Sequence, residues 1–229
     1  ALTMMLASGV KCSAETIVPI IIDPDDSAAD KTRTVAIMNK YMSIRNKLDF
    51  SQVDKNMFFK TQICPVDGME NFGFTLKNTR DCFFKDFIKI NQLNKSNEAL
   101  VNLLFSYKNL DSDMKVGFKG NPNIGSVVLN QFSDSQDYKD FANGFQQGDR
   151  IFIVSSIFGG TGASGFPLLL KTIRSDKKSQ SWNLISKAKV GAITVLPYFN
   201  VSQDDNSGVD SSTFASKTKS ALAYYEHNI

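Results

Sequence analysis

The run Ser155-Ser156-Ile157-Phe158-Gly159-Gly160-Thr161-Gly162-Ala163-Ser164-Gly165-Phe166-Pro167 constrains this chain more than any other stretch. Arg150-Ile151-Phe152-Ile153-Val154 precedes it and reads as a buried strand, because its β-branched and aromatic residues form one short apolar block. Pro167-Leu168-Leu169-Leu170-Lys171-Thr172-Ile173-Arg174 follows and reads as a helix, with Pro167 expected in the first turn, where a missing N–H does no harm. Strand, glycine-rich turn, helix is the layout in which backbone N–H groups and a helix N-terminus converge on a phosphate. The pattern points to a bound nucleotide.

Composition removes several other chemistries. His227 is the only histidine, so Ser-His-Asp and Cys-His catalysis are excluded and any metal site falls to carboxylates. Cys12, Cys64 and Cys82 are odd in number and lack CxxC spacing, which reads as reduced thiols in a cytoplasmic protein. A net charge of +3, with no Lys/Arg cluster, is too small to call for nucleic acid. The 18 phenylalanines are spread along the chain, as core residues are. Ala1 to Gly9 reads as the end of a core helix closed by Gly9 rather than as a signal peptide, and no run is long enough for membrane insertion.

Along the chain, Ile17-Val18-Pro19-Ile20-Ile21-Ile22 suits a parallel strand buried on both faces and ends at Asp23-Pro24-Asp25-Asp26. Asp30 to Leu48 has helical spacing, with Val35, Met38, Met42 and Ile44 on one stripe. A strand is expected within 56–66, and helices at 80–93 and 96–110, the second capped by Ser96. Gly117 to Gly125 is a second turn-rich loop, followed by a polar helix near 135–147. Beyond the glycine run come a polar stretch at 175–181, a strand at 189–196, a polar connection at 202–208 and a helix at 212–227. This alternation predicts a three-layer α/β fold with a mostly parallel sheet, read as one domain over 1–229.

Gly160-Thr161-Gly162-Ala163-Ser164-Gly165 satisfies the dinucleotide fingerprint, which makes an NAD- or FAD-binding oxidoreductase the alternative reading. That fold wants an acid closing the next strand to hold the ribose. Here the strand closes on Leu196-Pro197-Tyr198-Phe199. No P-loop motif is present.

Three stretches, in order, resemble the GTPase domain of the tubulin/FtsZ superfamily. Phe158 to Pro167 is similar to its signature loop Gly-Gly-Gly-Thr-Gly-Ser/Thr-Gly. Gly117-Phe118-Lys119-Gly120-Asn121-Pro122-Asn123-Ile124-Gly125 resembles its phosphate loop Gly-Ala-Gly-Ala-Asn-Pro-x-x-Gly, and Val190 to Phe199 its strand Val-Gly-Val-Val-Thr-x-Pro-Phe. The strand-Asp-Pro-Asp pattern at 17–25 is nearest to a divergent bacterial tubulin-like group. The departures are Phe158 for the first glycine, Ser164 for a usual glycine, Gly120 directly before Asn121, and the unmatched Lys119. The chain starts after the family's first strand and stops before its base-binding asparagine and catalytic loop, so it reads as a partial domain.

The resemblance implies GTP with Mg2+, head-to-tail self-association, and hydrolysis that depends on a loop from the next subunit. It implies phosphate contacts from Gly159, Gly160, Thr161, Gly162, Ala163 and Ser164, and from Gly117, Gly120 and Asn121, the last beside the γ-phosphate. Thr161 and Ser164 would add hydroxyl donors. Asp23 and Asp25 would either orient a magnesium-bound water or cap the helix that follows. Two further alternatives stand beside this reading: a tubulin-fold scaffold that has lost its nucleotide, and an adenylating enzyme hinted at by Ile22-Asp23-Pro24-Asp25.

Overall fold

Pro19 decides the first sheet. It has no N–H to give a ladder, and the apolar block 17–22 is accordingly not one strand. In the computed structural model, which describes residues 1–10, 12–25, 28–51, 55–77, 79, 81–198 and 213–229, strand β1 is Thr16–Ile17 alone. It pairs in parallel with β2, Gln62–Ile63. Pairing resumes past the proline, where Ile21 N–H donates to Phe72 O at 2.7 Å and Phe74 N–H donates to Ile21 O at 2.9 Å. The expected connection at 202–208, and Phe199, lie outside the described residues.

These elements belong to the first of two compact units, Ala1–Phe74. Its helices are α1 (Leu2–Ala7) and α2 (Ala29–Arg45). Gly9 closes α1 in the left-handed region (φ 85°), as expected from the sequence. On α2 the buried residues are Met38 and Tyr41, and Val35 and Met42 pack beside them. Ile44 is exposed, which corrects its place on the stripe. Leu6, Ile63 and Phe72 complete this core, and the Tyr41 hydroxyl donates to Thr61 O at 2.7 Å.

The second unit is Thr75–Ile229. The helix expected at 80–93 is reduced to α3 (Phe84–Phe87) and one tight turn, broken at Lys89, whose φ is +53°. The one expected at 96–110 divides into α4 (Lys95–Leu104) and α5 (Tyr107–Leu110), because Phe105 is extended and Ser106 caps a new start. Asn94, not Ser96, caps α4, accepting from Asn97 N–H at 2.9 Å. There follow α6 (Pro122–Leu129), α7 (Gln136–Asn143, capped by Ser135), β3 (Arg150–Ser156), α8 (Gly160–Ser175), α9 (Trp182–Ile185), β4 (Lys189–Val195) and α10 (Phe214–Asn228).

β3 and β4 pair in parallel over their full length, from Arg150 opposite Lys189 to Ser156 opposite Val195, with α8 as the crossover. Ile153 is buried, whereas its neighbours Phe152 and Val154 are 67% and 68% exposed, so burial on both faces is not what this strand shows. Phe84, Met114, Ile124, Phe132, Ile157 and Ile173 form the fully buried centre of the unit. The molecule is mixed α/β with about 50% helix and 11% strand. Helices therefore dominate; the strands are parallel, as expected, and among the described residues they form two separate two-stranded sheets. No helix of the described residues is long and apolar enough to cross a membrane.

Candidate functional site

The glycine run lies mostly inside a helix. α8 starts at Gly160, with Gly159 as its N-cap, and Pro167 sits in its interior rather than its first turn. An interior proline leaves the carbonyl four residues back without its N–H and costs roughly 3 kcal/mol. That carbonyl belongs to Ala163, and the Tyr225 hydroxyl of α10 donates to it at 2.9 Å. The Tyr225 ring also stands edge-on to Phe166, 5.2 Å between centroids. Burial, then the neighbouring Tyr224, pushes the Tyr225 phenol up to about 12.

The glycines account for how closely the elements approach. A Cβ on Gly162 would lie 2.7 Å from Ser156 N, against the end of β3. One on Gly160 would lie 2.7 Å from Phe118 Cβ and 3.0 Å from Asn121 N, and one on Gly125 would lie 2.8 Å from Gly160 O. Two glycine motifs distant in sequence are thus packed backbone against backbone, α6 against α8. Ser164, expected as a donor to phosphate, is buried and gives its hydroxyl proton to Gly160 O at 2.6 Å. Ala163 is buried as well, and Thr161 is half-buried.

The second turn works by dihedral freedom. Gly117 (φ 75°), Lys119 (φ 45°) and Gly120 (φ 69°) all lie in the left-handed half of the map. Asn121 then begins α6: its N–H donates to Phe118 O at 2.8 Å, its carbonyl accepts from Gly125 N–H at 3.1 Å, and its side chain makes no cap bond. Lys217 of α10 brings its Nζ to 3.4 Å from where a Gly120 Cβ would stand.

Two helix N-termini therefore converge beside the carboxyl end of β3, and neither has a side-chain cap. The N–H groups of the first α8 turn, Gly160 to Gly162, have no acceptor within the helix. On β3 itself, Ser155 Oγ is buried with no hydrogen-bond partner. Phe158, where the resembling family has glycine, packs its ring at a tilt of 45° against Phe214, 5.0 Å between centroids, and so anchors the start of α10 beside the turn. A groove of about 1190 Å³ runs along α8; Asn121, Ala163 and Ser164 border it, whereas Gly117, Gly120 and Gly159 to Gly162 do not.

Asp23 and Asp25 lie in the first unit. Asp23 Oδ1 accepts from Asp25 N–H at 2.9 Å, and Asp23 O accepts from Lys31 Nζ at 3.2 Å. The N-cap of α2 is Ala28 with no side-chain bond, so neither aspartate caps that helix. Among the described residues, no three His, Cys, Asp or Glu side chains gather in a metal-ligating cluster.

Comparison with protein-family models, curated proteins and solved structures gives no match to this chain. The resemblance places the segment Phe214 to Tyr225 on the ribose side of the site, but sequence reasoning missed what the side chains of Tyr225, Phe214 and Lys217 do there. One signal was available, since a proline inside a helical pattern asks for a donor from elsewhere.

Proposed function

We propose that this chain binds GTP in the manner of tubulin/FtsZ-like proteins, with the phosphates held at the joined N-termini of α6 and α8. The observation that carries this is the convergence of two uncapped helix N-termini at the carboxyl end of a parallel strand, where open α/β folds bind ligands. Backbone N–H groups of Gly160, Thr161 and Gly162 are the donors, and Lys119 and Lys217 supply positive charge at the neighbouring turn. Magnesium binds chiefly through phosphate oxygens and waters, which suits a site with no cluster of three acidic ligands among the described residues.

GTP with magnesium would bring a phosphoanhydride whose cleavage rests on positioning and charge. The resemblance assigns the water-orienting group to a neighbouring subunit, so turnover is expected to rise with head-to-tail assembly. A thermal-shift titration with GTP, ATP and NAD, each with and without magnesium, tests the reading, because a ligand of the folded state raises the melting point by mass action. A magnesium-dependent shift with GTP supports it, and a shift with NAD alone sinks it.

One observation favours a second reading. Gly125, Gly160 and Gly162 are each required by packing, which is what a scaffold that kept the fold and lost the nucleotide would retain. Absence of a shift with every nucleotide would decide for that scaffold.

A further inference from the structure

The groove along α8 offers more than its border with the glycine turns. Its floor is aliphatic, with Pro167 and Leu168 from α8 and Ala221 from α10. Its rim is cationic on several sides: Lys139 comes from α7, Lys171 from α8, Lys177 from the loop after it and Lys217 from α10. Lys139, Lys171 and Lys177 make no ion pair among the described residues. Lys178 is paired, 3.0 Å from Asp134.

Asp176 is the one acid in the lining, and it is committed elsewhere. Its carboxylate accepts from the backbone N–H groups of Lys178 (2.8 Å) and Ser179 (3.1 Å) and from the Tyr138 hydroxyl (3.3 Å). Burial alone would push this carboxyl up, but those hydrogen bonds outweigh it and hold it below its ordinary value. The charge it carries is thus turned into the wall, and the rim keeps a positive excess.

We propose that this groove docks an acidic peptide segment, with its carboxylates on the lysine rim and an aliphatic side chain on the Pro167–Leu168 floor. The lining favours a peptide over a polynucleotide. Its cations are all lysines, point charges without the planar fork that favours phosphate, and of its three tyrosines Tyr138 is buried and Tyr225 is packed on Phe166, which leaves Tyr224 as a single exposed ring rather than a platform for successive bases. At about 1190 Å³ the groove exceeds the usual span of small-ligand pockets, roughly 300–1,000 Å³. An extended chain fills such a shape.

The test is fluorescence anisotropy of the whole protein with a labelled peptide of alternating Glu and Leu, at two salt concentrations. Saturable binding that weakens with salt is expected, and Lys171→Glu with Lys177→Glu should reduce affinity by about tenfold or more. Lys95→Glu, on α4 and outside the groove, should leave it as it was. If the paired reversal unfolds the protein, Lys171→Gln with Lys177→Gln replaces it and is expected to weaken binding in the same direction. Absence of binding, equal binding by the groove variants, or tighter binding of a single-stranded oligonucleotide overturns the proposal. The GTP thermal shift should be the same in wild type and in the groove variant, so failure here is distinguishable from failure of the nucleotide reading.

Discussion

The turn at 117–121 and the turn at 159–162 are both glycine-rich, yet they use glycine for different physical reasons. In the first, Gly117 and Gly120 adopt positive φ, and the missing Cβ matters because it frees the dihedral. Space at Gly120 is ample, with only the end of the Lys217 side chain nearby at 3.4 Å. In the second, no glycine has positive φ, and the missing Cβ matters because backbone from another element occupies its place. One turn is a matter of shape and the other of clearance. A glycine motif read from sequence does not reveal which of these it encodes.

Substitution separates the two reasons. The largest effect is expected at Gly162→Ala, where the new methyl meets the Ser156 backbone, which cannot swing aside; a loss of about 3 kcal/mol should appear in urea unfolding. Gly125→Ala comes next at roughly 2 kcal/mol, since overpacking against Gly160 O exceeds the gain in helix propensity. Tyr225→Phe should cost about 1.5 kcal/mol by orphaning the buried Ala163 carbonyl. Adding Pro167→Ala, which restores the helical N–H, should recover part of that loss in a double-mutant cycle.

The same tyrosine gives a pH signature. Its folded-state pKa lies above its ordinary value, so the stability it lends is intact below about pH 10 and is lost as pH rises toward about 12. Wild-type melting temperature should fall across that window more steeply than that of Tyr225→Phe. The smallest change belongs to the dihedral turn: Gly120→Ala should cost about 1 kcal/mol, and Gly120→Asn less, because asparagine tolerates left-handed backbone. Equal losses at Gly120 and Gly162 would erase the distinction between the turns.

Much of the fold was legible where one physical signal stood alone. The blocks at 150–154 and 189–196 are strands in register, and the spacing from 30 to 48 marks a helix that ends three residues early. Reading failed where signals competed. The block at 17–22 has strand composition, but Pro19 cuts its ladder. The pattern at 96–110 looks continuous, but Ser106 offers a better cap than Phe105 offers a helical turn. At the site, both glycine motifs were visible and the resemblance put both on one set of phosphates, but their direct packing was not legible, because it depends on how α6 lies on α8. Pro167 was read as a helix start, since the hydroxyl that lets it sit inside α8 lies on α10.

That hydroxyl has a consequence for how the protein is made. The donor and the carbonyl it satisfies are 62 residues apart in the chain. Synthesis runs from the N-terminus at roughly 5–20 residues per second, so α8 leaves the ribosome seconds before its partner exists. During that interval water alone can serve Ala163, and the helix is weakest at its midpoint. Arrival of α10 is thus the step that completes the hydrogen bonding of α8.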